Sequence, residues 1–278
     1  MKLFFLAMLF SFQVMALPIG VEIDLDAKKV IPFSPALEYD FEGIVKLSNC
    51  SGSLVQIDTQ TEENKAWVLT NGHCLGGGFL RAGEFVVNRP VARSMRLFDK
   101  KMRLFNIQST RILFATMTGT DAAIYELNET YAQLRARTGV TPLRLAGTRA
   151  QEGINILVIS GYWDRGYNCR LDGFVFRLKE GDWTFTDSIR YTPECNTIGG
   201  TSGSPIVQSG TRDVIGVNNT MNESGRSCTL NNPCEVSETG GVIVRRSIGY
   251  GQQTYHLKDC VKADFTFDLS LPSCTLKK

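Results

Sequence analysis

Histidine is nearly absent from this 278-residue chain, which has two, His73 and His256. Any chemistry that needs an imidazole must use one of them. No C-x-x-C pair occurs, and with so little histidine a zinc site would lack ligands at the usual spacing. No metal and no other cofactor is therefore expected. Lys plus Arg (30) almost balances Asp plus Glu (28), and no basic stripe is interleaved with aromatics, so nucleic acid is not an expected partner. Repeats and low-complexity tracts are also missing, which leaves a structural or adhesive role without support.

No apolar run reaches the roughly 20 residues a membrane span needs. The nearest is the N-terminal MKLFFLAMLFSFQVMA: one charge at Lys2, an apolar stretch from Leu3 to Phe10, and the small-x-small pattern Val14-Met15-Ala16. Residues 1–16 are expected to be a secretory signal, and the mature chain to be secreted and free of the membrane. Residues 17–42, with Pro18, Pro32, Pro35 and the doublet Lys28-Lys29, are expected to be an N-terminal arm or short propeptide.

Eight cysteines, an even number, in an exported chain point to disulfides. Eight allow 105 connectivities. The pairing favoured joins neighbours along the chain: Cys50 with Cys74, Cys169 with Cys195, Cys228 with Cys234, and Cys260 with Cys274.

The 43% hydrophobic content is enough for a substantial core. It is arranged as short runs such as GSLVQID, KAWVLT, AAIYEL, INILVISG and DVIGVNN, rich in β-branched and aromatic residues and bounded by Gly, Asn, Asp or Pro. Many strands at short spacing predict an all-β antiparallel sandwich or barrel. One stretch, NETYAQLRARTG, predicts a helix capped by Asn128 and ended by Gly139, connecting two β halves.

The segment GGTSGSPIV, residues 199–207, is too glycine-rich for a helix, and on its own it leaves Ser202 either a nucleophile held in a tight turn or one more serine in a loop. A serine hydroxyl becomes a nucleophile when a base, usually a histidine oriented by a carboxylate, removes its proton. His73 lies in WVLTNGHCL, directly after a predicted strand and beside Cys74.

LTNGHC resembles the LTAAHC of trypsin-like serine proteases, NCSGSLV resembles their CGGSLI, TGTDAAIYEL their DIALLxL, and GTSGSP their GDSGGP. GTSGSP, with its second serine, is closer to bacterial secreted members. The resemblance implies two six-stranded antiparallel β-barrels with the active site in the crevice between them. The first barrel and connector would span 43–150, and the second, with a disulfide-stapled tail, 151–278. It implies Ser202 as nucleophile, His73 as base and Asp121 as the orienting acid, with Asp99 a distant second. The amides of Gly200 and Ser202 would form an oxyanion hole, and Cys50–Cys74 would pin the histidine turn. The activity implied is endopeptidase action on protein or peptide substrates, and a monomer is the default.

Two positions depart from the trypsin pattern. Thr201 stands where an acidic residue would pair with a newly exposed N-terminus, so activation by that switch is not expected. Asn196 stands six before the serine, where trypsin has an acid. The primary pocket is assigned to Asn196, Thr197, Gly216 and Asn218. Glutamyl endopeptidases share Thr197 but carry histidine where this chain has Asn218, so glutamate preference is in doubt.

An α/β-hydrolase would use Ser202, Asp213 and His256 in that order, but it needs G-x-S-x-G, and position 204 is serine. The remaining alternative is a catalytically silent binding protein on a protease scaffold.

Overall fold

Along a strand, side chains point alternately to opposite faces, and residues 165–180 follow that rule. Tyr167, Cys169, Leu171 and Val175 are buried, while Asn168, Arg170 and Asp172 are exposed. Phe176 and Arg177 are both exposed, which shifts the phase and turns Leu178 and Glu180 inward. The structure is a computed structural model and describes residues 39–276. The expected signal at 1–16, and nearly all of the 17–42 arm, lie outside the described residues.

The strands are β1 (Ile44–Lys46), β2 (Ser51–Gln56), β3 (Lys65–Thr70), β4 (Phe85–Pro90), β5 (Ser94–Phe98), β6 (Leu104–Thr116), β7 (Ala122–Thr130), β8 (Leu143–Leu145), β9 (Asn155–Ser160), β10 (Arg165–Glu180), β11 (Trp183–Tyr191), β12 (Pro205–Gln208), β13 (Asp213–Met221), β14 (Cys234–Val236), β15 (Val242–Ile243) and β16 (Gly249–Gln253). The order β1-β5-β6-β7-β3-β2, closed by β1 on β2, makes one six-stranded antiparallel barrel. The order β13-β12-β9-β10-β11-β16, closed by β13 on β16, makes a second. β8 runs parallel to both β2 and β13 and joins the two barrels into one sheet. Closure removes free sheet edges. Among the described residues no helix is long and apolar enough to cross a membrane.

The first barrel packs Leu54, Val68, Ile112 and Tyr125 inward; Ile156, Val158, Ile189 and Ile206 fill the second. Four disulfides join Cys50–Cys74, Cys169–Cys195, Cys228–Cys234 and Cys260–Cys274.

The connector helix, α1, is shorter than the sequence predicts, covering Tyr131–Thr138. Its N-cap is Thr130, not Asn128. Thr130 and Gln133 form a reciprocal capping box, while residues 128–130 complete β7. Gly139 ends the helix in the left-handed conformation, φ 74°.

The tail follows the second barrel in sequence yet packs on the first. Phe267 stacks on Phe114 with ring centroids 5.3 Å apart, and Phe265 meets Trp67 edge-on at 6.5 Å. Asn88 Nδ2 donates to the Phe267 carbonyl at 2.8 Å, and Asn88 Oδ1 accepts the Phe267 amide at 3.2 Å.

Candidate active site

Strand β3 runs straight into the histidine turn. Asn71 is still extended, and Gly72–Cys74 form one turn of 3-10 helix. Only glycine fits at 72, because a Cβ there would lie 2.0 Å from the Thr116 carbonyl oxygen. That close approach brings His73 against Asp121 at the head of β7. The His73 amide donates to Asp121 Oδ1 at 3.1 Å, and Nδ1 lies 2.6 Å from Oδ2. An ionised carboxylate only accepts, which assigns the proton of neutral His73 to Nδ1 and leaves Nε2 as the free base. Burial alone would lower the His73 pKa. The charge and hydrogen bond of Asp121, with a smaller contribution from Glu180, outweigh burial and hold it above its ordinary value.

The serine turn is built from the other barrel. The Thr201 amide donates to the Ile198 carbonyl at 3.0 Å, and the Ser204 amide to the Thr201 carbonyl at 3.1 Å. Thr201, fully buried, takes the Ile198 amide on its hydroxyl at 3.3 Å. The turn is thus braced by a neutral side chain at the position where trypsin carries its acid. Gly200 has φ +87°, and a Cβ would fall 2.8 Å from the Tyr162 ring. The amides of Gly200 and Ser202 donate to no group among the described residues, the state an oxyanion hole requires.

Ser202 and His73 line the same cleft. They share no hydrogen bond; Ser202 Oγ donates instead to the Asn219 carbonyl at 3.2 Å.

Sequence reasoning missed Asn71. Fully buried, it donates from Nδ2 to the Asp121 carbonyl at 2.7 Å and accepts the Gly203 amide on Oδ1 at 2.6 Å. One side chain therefore ties the acid's loop in the first barrel to the serine's loop in the second. The Ser51 amide adds a parallel tie to the Ser202 carbonyl at 2.8 Å. A usable signal was present: LTNGHC differs from LTAAHC at positions 71 and 72, the two residues that lock this turn.

Of the predicted pocket residues, Thr197 and Asn218 line the cleft. Asn196 is exposed and outside it. Gly216 is buried within β13, where a Cβ would meet Ile189 at 2.8 Å, so it belongs to the barrel interior. The cleft also holds Glu180, which the sequence reading left between two predicted strands and which the structure places at the end of β10. Burial raises its pKa, opposed by the Asn231 amide, the Thr220 hydroxyl and His73, and reinforced by Asp121.

The other candidates do not assemble. Asp213 is paired with Arg144 on the β8–β13 seam. His256 stacks edge-on against Tyr255 outside the cleft. Asp99 is engaged by Arg103.

Solved structures similar to this chain include the protease domain of MamO from Magnetospirillum magneticum, 14% identical over 81% of this chain and 98% of its own, with a TM-score of 0.49. The corresponding values for a Nocardiopsis protease are 14%, 77%, 92% and 0.45. No curated protein sequence matches the chain. The family model of the trypsin-like peptidase domain matches residues 50–217, from β2 into β13, which include His73, Asp121 and Ser202. The chain is a member of the trypsin-like peptidase family.

Proposed function

We propose that the protein is a secreted serine endopeptidase, with 43–150 and 151–278 as its two halves and the triad Ser202, His73 and Asp121. The observation that carries this reading is the 2.6 Å contact of His73 Nδ1 with buried Asp121, in the cleft that also holds Ser202. In the first step Ser202 Oγ leaves the Asn219 carbonyl, gives its proton to His73 Nε2 and bonds to the substrate carbonyl carbon. The carbonyl oxygen becomes an oxyanion held by the amides of Gly200 and Ser202. Collapse breaks the C–N bond, and the imidazolium returns the proton to the departing amine. Water, deprotonated by His73, then attacks the acyl-enzyme; the acid leaves and Ser202 regains its proton. Asp121 orients the ring and balances its charge throughout.

The Ser202–Asn219 hydrogen bond favours a second reading, a catalytically silent binding protein that keeps the scaffold. One experiment separates them. The protein is treated with a fluorophosphonate and, in parallel, with a denatured protein mixture whose product termini are read by mass spectrometry. Labelling and cleavage that both vanish in Ser202→Ala support the peptidase. If wild type and variant behave alike, it is a binding protein.

A further inference from the structure

Apart from His73, the titratable side chains that line the cleft are all acidic. Glu180, Glu223 and Asp121 line it, and among the described residues no lysine or arginine does. Glu180, the last residue of β10, is 6% exposed and, among the described residues, forms no ion pair with a lysine or arginine. One of its oxygens is fixed: Oε1 accepts the Thr220 hydroxyl at 3.0 Å and the Asn231 amide at 2.7 Å. The other, Oε2, meets no donor among the described residues.

Two neighbours carry polar atoms that are buried without a partner. Among the described residues, Asn218, 2% exposed, has no partner for Oδ1, and Asn219, 4% exposed, has none for Nδ2; both residues line the same cleft. Unmatched buried polar atoms cost about 1–3 kcal/mol each in an empty protein, a cost a complementary ligand removes.

Strand register places Glu180 opposite Trp183. Trp183 meets Phe79 edge-on at 5.6 Å, and Phe79 meets His73 at 5.9 Å. The carboxyl therefore sits at the aromatic wall on the histidine side of the cleft, and not beside exposed Asn196. A ligand group for this place needs an apolar stem to run along the rings and a cationic tip with several donors. Acidic side chains are repelled, and apolar ones leave the carboxyl unpaired.

We propose that Glu180 is a specificity-determining residue. It forms the anionic end of a subsite that takes a lysine or arginine side chain from the substrate peptide, at a position next to the residue that supplies the scissile carbonyl. This rests on the peptidase reading for its substrate, but not for its test.

Glu180→Gln keeps the oxygen that Thr220 and Asn231 bind and removes only the charge. Two peptide series, with lysine or glutamine at each of the two positions adjacent to the residue that supplies the scissile carbonyl, are assayed for kcat/KM with wild type and Glu180→Gln. The expected result is a lysine-over-glutamine preference at one of these positions that falls about 10- to 100-fold in the variant. In parallel, binding of the same peptides to Ser202→Ala and to Ser202→Ala/Glu180→Gln is measured by calorimetry. Charge-dependent binding without cleavage by the parent would retain the subsite and remove the peptidase reading. A preference unchanged by Glu180→Gln, or peptides bound alike by both, would overturn the subsite.

Discussion

Ser202 Oγ is hydrogen-bonded to the Asn219 carbonyl, so the proposed nucleophile and the strand that lines the cleft hold each other in the free protein. The bond is a single neutral one, of about 1 kcal/mol, and a staggered rotation of the serine releases it. Ser202→Ala is accordingly expected to leave the melting temperature nearly unchanged while hydrolysis falls by at least about 10⁴-fold. Calorimetric melting beside a peptide assay checks both halves.

The pH dependence follows from His73. Only the neutral ring accepts the serine proton, so kcat/KM should rise with pH through the His73 pKa, which lies above 6.5. Asp121→Asn removes the charge that raises it and leaves burial, which lowers it. The acid limb should then move to lower pH while the plateau drops about 10⁴-fold. A limb that stayed in place would mean another group controls the rate.

The same shift bears on stability. Folding raises the His73 pKa, so the folded state holds this proton more tightly than the unfolded chain does. The added stability is complete below pH 6.5 and is lost as pH rises through the folded value. Denaturant unfolding of wild type and His73→Gln across that range should converge at alkaline pH.

Asn71→Ala removes both of its bonds and strands a buried carbonyl on Asp121, while Gly203 keeps its second acceptor, the Asn218 carbonyl, at 2.9 Å. The loss expected is about 2–4 kcal/mol of stability. Because the acid and serine loops would drift apart, kcat should fall more than KM rises. Equal loss in both parameters would argue for a purely structural role.

Cys50–Cys74 closes a loop of sequence separation 24 that ends beside His73. Replacing both cysteines by serine should destabilise the fold by about 3 kcal/mol in the chain-entropy account. Denaturant titration measures this directly.

Much of the fold was legible because strands announce themselves locally. KAWVLT and AAIYEL became β3 and β7, and their ends deliver His73 and Asp121 to one another. β5 and β16 were missed: SMRLF carries an arginine in its middle, and GYGQQ reads as a turn until neighbouring strands bury it. Asn71 and Glu180 were missed for a different reason. Their importance comes from partners 50 and 132 positions away for Asn71, and 40 and 51 positions away for Glu180. Asn196 falls outside the cleft because motif distance along a loop does not fix which way the loop turns, and Gly216 because it sits inside β13.

The docking of Phe267 on the first barrel has a consequence for the order of events during synthesis. The hydrogen bonds from Asn88 to Phe267 span 179 positions. A ribosome has made the sequence of both barrels before it makes the residue that covers Phe114 and Trp67. Until then those rings have no partner from the tail, and the first barrel carries a bare apolar patch. Maturation of the first half is thereby tied to arrival of residues made last, and a chain interrupted before Phe265 would present that patch to chaperones and proteases rather than a finished surface.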